Sequence, residues 1–184
     1  MTFELEPQGR WLTGAHHCFS PFQGARPEGM AIDALVIHNI TLPPGLFGAP
    51  YIGQLFLGCV QPDFPVLKQV EGLEVSAHLL IRRDGRLVQF VPFDRRAWHA
   101  GRSEYGGRRN WNDFSIGIEL EGCDHTPYED IQYQSLIGVT RALMRAYPQI
   151  TRTRILGHCD IAPGRKTDPG PAFDWDRFFR QLEL

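Results

Sequence analysis

Three polar side chains stand where short apolar runs end: His38 in ALVIHNI, His158 after RILG, and Asp168 in RKTDPGP, ten residues beyond His158. Two imidazoles and one carboxylate are the ligand set of a catalytic zinc site, which keeps a fourth tetrahedral position for water where a structural site closes it. The alternative is three unrelated polar residues, with His38 a hydrogen-bonded core histidine. Spacing does not choose between them, because His38 and His158 are 120 residues apart and no H-E-x-x-H motif joins them.

Local geometry favours the metal. Asp168 precedes Pro169, which biases its backbone toward an extended conformation. Positions two apart in such a segment share a face, so Lys166 and Asp168 project toward one place. Pro169 and Pro171 stiffen the loop that holds them. Lysine is also scarce: 17 of the 19 basic residues are arginine, leaving only Lys68 and Lys166. A compact ammonium suits a developing oxyanion, although an arginine-biased proteome explains the count equally and Lys68 shows that a lysine need not carry chemistry. Glu119 and Glu121 lie on one polar strand face, and a carboxylate beside a metal-activated water can serve as general base. A solvated edge is the other reading. Glu119 is the more central and is the expected base, and Gly117 and Gly122 beside the pair suggest a tight site that admits substrate backbone.

The other polar candidates are weaker. His78 alternates with Ser76 and Leu80 and is expected on the same sheet face. Trp98 and His99 in RRAWHAG form either an aromatic wall for substrate or core packing. His16, His17 and His125 read as surface or arm residues, and Cys159 points away from its neighbour His158. Arg82, Arg83, Arg108 and Arg109 are candidates to clamp carboxylates, against the reading of a solvated basic surface.

The elements that must position these groups follow from pattern. Residues 34–40 are a short, β-branched, buried strand. Residues 41–72 form a Pro/Gly-punctuated excursion with a short helix at 51–57, long enough to suggest a functional loop. Residues 75–91 form a hairpin about Asp84-Gly85 with a two-residue type I′ turn. In FSIGIELEG, Ile116, Ile118 and Leu120 point to the core and Ser115, Gly117, Glu119 and Glu121 to the polar face. A helix capped by Thr126, with Pro127 at N1 and Glu129 at N3, carries Leu136, Val139, Leu143 and Tyr147 on one stripe and ends at Pro148. RILGH is a strand running into a loop, and FDWDRFFRQLEL is a helix capped by Asp174. Strands and helices alternate, so the expectation is α/β: a mixed central β-sheet flanked by α-helices.

The chain has 184 residues, 42% apolar and 22% charged, with a formal charge of −2. That suits one globular domain over 1–184, with residues 1–30 an irregular N-terminal arm packed by Trp11, Phe19 and Phe22. It gives no general attraction to nucleic acid or anionic membrane. No window holds the ~18 consecutive apolar residues of a membrane helix. The start MTFELEPQGRW lacks a basic n-region and an apolar h-region, so a cytoplasmic protein with four free thiols is expected.

The segments LVIHNITLPPGLFGAPYI, VSAHLLIRRDGRLVQFVPFDRRAWHAG, NDFSIGIELEG and GHCDIAPGRKTDPGPAFDW together resemble the AmpD family of cytoplasmic zinc amidases of peptidoglycan recycling, in the family's order over about residues 34–175. The resemblance implies that His38, His158 and Asp168 bind one Zn2+, that Glu119 and Lys166 assist catalysis, and that the sheet carries helices on both sides. It implies an anhydro-N-acetylmuramyl-peptide substrate, cut between the lactyl carbonyl and the L-alanine nitrogen. Asn39, His78, Trp98, Arg108 and Arg109 are then the expected substrate contacts, in a monomer. One departure stands out: the family often carries Arg-Cys before the NDF motif, and this chain has Asn110-Trp111. Two other classes stay open, a peptidoglycan-binding module without catalysis and a zinc hydrolase of another amide.

Overall fold

The computed structural model describes residues 1–61 and 64–182. In chain order its strands are β1 (His16–His17), β2 (Gln23–Ala25), β3 (Ala34–Ile40), β4 (Leu79–Ile81), β5 (Leu87–Gln89), β6 (Arg95–Ala97), β7 (Glu104–Tyr105), β8 (Arg108–Arg109), β9 (Ser115–Glu121) and β10 (Ile155–Gly157). The helices are α1 (Tyr51–Leu57), α2 (Pro65–Lys68), α3 (Asp130–Ala146), α4 (His158–Ile161) and α5 (Trp175–Leu182). Six strands form the central sheet in the order β1-β5-β4-β9-β3-β10. The β4–β5 hairpin is antiparallel and the other pairings are parallel, so the sheet is mixed, as the alternation of elements predicts.

Strands β3 and β9 pair along their whole length, Ala34 with Ser115 through Ile40 with Glu121. Both are central and covered on both faces, which is why they read as near-continuous apolar runs. On one face Leu35, Ile37, Ile116, Ile118 and Leu120 pack against Leu136, Val139 and Leu143 of α3 and Phe178 of α5. On the other, Leu80 meets Ile52, Leu55 and Phe56 of α1, and Val36 packs with Ala100, Trp111 and Ile161. That second face carries the chemistry.

Several local expectations are corrected by tertiary contacts. The hairpin turn is not type I′, which needs positive φ at both central residues. Only Gly85 has one (+79°), with its N–H donated to Arg82 O (2.9 Å) and the Arg82 N–H to Arg86 O (2.9 Å). The turn is a three-residue loop with glycine in the left-handed position. Helix α3 starts a turn later than Thr126 suggests: Glu129 is the N-cap, in a capping box with Gln132, whose Oε1 accepts the Glu129 N–H (3.1 Å). Arg83 holds the preceding residues off the helix by bonding Pro127 O (3.0 Å) and pairing with Glu129. Asp174 caps α5 as expected, accepting the Arg177 N–H (2.8 Å).

The first 30 residues are tied in more firmly than an arm. They supply the edge strand β1 and the ribbon strand β2, and fully buried Leu12 donates its N–H to Gln89 Oε1 (2.7 Å). Phe19, expected to pack, is exposed. Within the 41–72 excursion α1 and α2 lay apolar residues on the sheet; Pro62 and Asp63 of that excursion, and Glu183 and Leu184 of the last helical run, lie outside the described residues.

Candidate active site

Register does the first part of the assembly. His38 on β3 lies opposite Glu119 on β9, and paired residues in a sheet point to the same face. His38 lies inside β3, not at its end, because the strand runs on to Ile40. On the other edge of β3, β10 pairs Gly157 with Ile37. The chain then turns into α4 at His158 rather than into a loop, with the Gly157 N–H donated to Asp160 Oδ2 (2.7 Å). The loop after α4 brings Asp168 back: its carbonyl accepts the Cys159 N–H (3.0 Å). The next carbonyl, of Pro169, accepts from Asn39 Nδ2 (3.0 Å) and Tyr128 OH (2.7 Å). Asn39 also donates to Asp124 Oδ1 (2.9 Å). Its alternation with His38 places it on the opposite face, where Asn39 anchors the loop that presents Asp168.

The three expected ligands converge. His38 Nδ1 lies 3.0 Å from His158 Nδ1 and 3.0 Å from Asp168 Oδ2, and His158 Nδ1 lies 3.1 Å from the same oxygen. His158 Nε2 faces Ala100 O at 3.2 Å. A carbonyl only accepts, so a neutral His158 carries its proton on Nε2 and turns a bare Nδ1 lone pair into the cluster. Burial pushes His38 down to about 4, so its ring is neutral at neutral pH. Three electron-pair donors facing one another across about 3 Å in a buried pocket are a poor arrangement without a cation. Zinc bonds of about 2.0–2.2 Å in tetrahedral geometry set ligand atoms roughly 3.3 Å apart, and the donor set fits that ion. Among the described residues this is the one group of three or more His, Cys, Asp or Glu side chains with metal-ligand spacing, and Cys159 is outside it.

The two glutamates separate cleanly. Glu121 accepts from the Gly48 N–H (2.6 Å) and the Arg83 N–H (3.0 Å), and so pins the excursion and the hairpin turn. Glu119 is buried, and its Oε2 has no hydrogen-bond partner among the described residues. Burial lifts its carboxyl well above the usual range; Asp168 adds to this and the Lys166 ammonium opposes it. Lys166 is exposed, near enough for its charge to act on both Glu119 and His38. The glycines flanking these acids make room for side chains, not for substrate backbone. A Cβ on Gly117 would stand 2.4 Å from the His99 ring, and one on Gly122 2.5 Å from Tyr128.

Two expected contacts are engaged within the fold. His78 is fully buried, with Nδ1 accepting the Gly117 N–H (3.0 Å) and Nε2 facing Arg95 O (3.0 Å), so it has no surface for substrate. Arg108 donates to both oxygens of Asp33 (3.0 and 2.8 Å) and stacks 3.6 Å over Phe114, so its charge is spent on the fold. Trp98 is half-buried against Phe22. Arg109 is exposed and paired with Glu104. It lines a cleft of about 680 Å3 with Arg102 and Arg165, beside Ile161 of α4. Sequence reasoning left His99 between two roles, and the structure gives it a third, directly behind His38 at 2.9 Å. No local spacing signals this contact.

Burial and nearby Arg26 push His78 down to about 3. The unfolded ring takes a proton near pH 6.5 and the folded one only near pH 3, so in that window stability falls as pH falls, by up to about 1.4 kcal/mol per pH unit. Urea unfolding at several pH values between 7 and 4 should show this slope, and His78→Asn should flatten it. An equal slope in the variant would remove His78 as a source of acid lability.

Residues 28–171 match the N-acetylmuramoyl-L-alanine amidase family, a span that contains every residue of the cluster. The chain is 59% identical over 169 residues to the 1,6-anhydro-N-acetylmuramyl-L-alanine amidase AmpD of Escherichia coli K12, covering 91% of this chain and 92% of that protein. It superposes on the crystal structure of a selenomethionine derivative of AmpD with a TM-score of 0.92 and 55% identity, over 97% of this chain and 98% of that one. It also matches the E. coli amidase AmiD in complex with the substrate anhydro-N-acetylmuramic acid-L-Ala-D-γ-Glu-L-Lys, with a TM-score of 0.62 and 28% identity, over 96% of this chain and 65% of that one. With its fold, its cluster and these likenesses taken together, the chain belongs to the N-acetylmuramoyl-L-alanine amidases, in the AmpD family.

Proposed function

We propose that this amidase is zinc-dependent and cleaves the amide between the lactyl group of 1,6-anhydro-N-acetylmuramic acid and L-alanine in muropeptides, as a cytoplasmic step of peptidoglycan recycling. The observation that carries the reading is the triangle of His38 Nδ1, His158 Nδ1 and Asp168 Oδ2 within about 3 Å, on the sheet face shared with the unpartnered Glu119 carboxylate. His38, His158 and Asp168 would hold zinc, which would supply a Lewis acid for the scissile carbonyl and a nucleophilic water near neutral pH. Glu119, in its anionic form, takes the proton from the attacking water and hands it to the departing amine of L-alanine. The Lys166 ammonium, at the solvent side, offsets negative charge growing on the carbonyl oxygen. No helix among the described residues is long and apolar enough to cross a membrane.

Chelation of the protein should abolish release of L-alanyl peptide from anhydro-muramyl-tripeptide, and stoichiometric zinc should restore it. Turnover that survives complete metal removal would defeat the zinc reading. Release from neither anhydro-muramyl-tripeptide nor intact wall fragments, with tight binding, would instead indicate a binding module. Of the expected contacts Arg109 is the one in the exposed class, and its guanidinium fits the carboxylates of the stem peptide. Arg109→Ala should raise KM several-fold with kcat little changed, the signature of lost ground-state binding. An unchanged KM would remove it from the substrate site.

A further inference from the structure

We propose that His99 is a positioning residue that fixes the proton of His38 on Nε2 and so turns the Nδ1 lone pair of His38 toward the metal. The inference rests on the metal-site reading above and adds a residue to it. A chain of donors and acceptors begins at a group with no choice. Trp111 O can only accept, and it receives the Ser115 hydroxyl proton at 2.5 Å. With its proton committed, Ser115 Oγ presents a lone pair to His99 Nε2, 3.2 Å away, so His99 carries its proton on Nε2. A neutral His99 then has a bare Nδ1, which lies 2.9 Å from His38 Nε2. His38 must donate there, and its other nitrogen is left as the ligand atom.

The surroundings hold the relay in place. The His99 ring occupies the space that a side chain at Gly117 would fill, since a Cβ there would come within 2.4 Å of it. The His99 and Ala100 N–H groups both donate to Asn112 Oδ1 (3.1 and 2.8 Å). Ala100 O in turn accepts from His158 Nε2 (3.2 Å). One dipeptide therefore orients both imidazoles, His38 through the His99 ring and His158 through the Ala100 carbonyl. Outer partners of this kind typically change metal affinity 10- to 100-fold when removed.

The test uses the full chain and zinc alone. Zinc affinity is measured by chelator competition for wild type, His99→Leu, His99→Asn, Ser115→Ala and Gly117→Ala. Long-range 15N–1H spectra of zinc-loaded wild type report which nitrogen of each imidazole is protonated. His99→Leu should weaken zinc about 10- to 100-fold. His99→Asn, whose Oδ1 stands in for Nδ1 as acceptor, should recover affinity to within a few-fold of wild type. Gly117→Ala, which displaces the ring, should weaken zinc as His99→Leu does, and Ser115→Ala should weaken it less. The wild-type spectrum should show His99 protonated on Nε2. A His99 proton on Nδ1, or wild-type affinity in His99→Leu, overturns the inference while leaving the metal site standing. Failure of wild type to bind zinc overturns both. Should His99→Leu not fold, the wild-type spectrum and a weakened His99→Asn are each enough to refute it.

Discussion

Glu119→Gln should keep its zinc and lose most of its turnover, with kcat falling about 10²- to 10⁴-fold, the range expected for removal of a general acid–base group. Glutamine preserves the size of the side chain and its place opposite His38, so the ligand cluster is undisturbed. What disappears is the ability to take a proton. The structure isolates that ability: Oε2 is buried and has no partner among the described residues, whereas Glu121, two residues on, has both oxygens engaged with backbone N–H groups. Leaving a carboxylate unpaired in a buried site is costly, and a reacting water would supply the missing partner. Metal analysis and steady-state kinetics on the same preparation check the expectation. Full activity in the variant would take Glu119 out of the reaction; loss of zinc together with activity would make it a structural residue.

The second large effect belongs to Asp168. Asp168→Ala should lose zinc and activity together, with turnover down by more than about 10³-fold, since the Lewis acid and the activated water vanish with the metal. The carboxylate is the only anion in the ligand triangle, so its removal leaves two neutral imidazoles to hold a divalent cation. The fold should survive. The loop remains tied through Pro169 O to Asn39 and Tyr128, and neither bond uses the Asp168 side chain. Circular dichroism should therefore match wild type while elemental analysis shows the zinc gone. Stoichiometric zinc in this variant would contradict the ligand set.

These expectations show how unevenly the sequence speaks. Strands β3 and β9 were legible because central strands covered on both faces need continuous apolar runs, and α5 because Asp174 is a local cap. The start of α3 was not, because Arg83, far away in sequence, holds Pro127 and Glu129. Nor was the hairpin turn: Asp-Gly allows more than one turn type, and the observed loop leaves only its glycine in the left-handed region. The glycines beside the glutamates misled for a related reason. A missing Cβ announces close approach without saying of what, and here the visitors are His99 and Tyr128.

By itself, then, the sequence determined the class of fold and, through several long matching segments, the family. Residue type limits which atoms can ligate or carry protons, and a long match is hard to achieve by chance. Only the tertiary structure decided what each of two neighbouring glutamates meets, that Asn39, His78 and Arg108 bond within the scaffold, and that His99 stands behind His38. Each of those depends on a partner distant in the chain, from 38 residues for Glu121 and Arg83 to 130 for Asn39 and Pro169. Such contacts leave no periodicity or spacing in the sequence to be read.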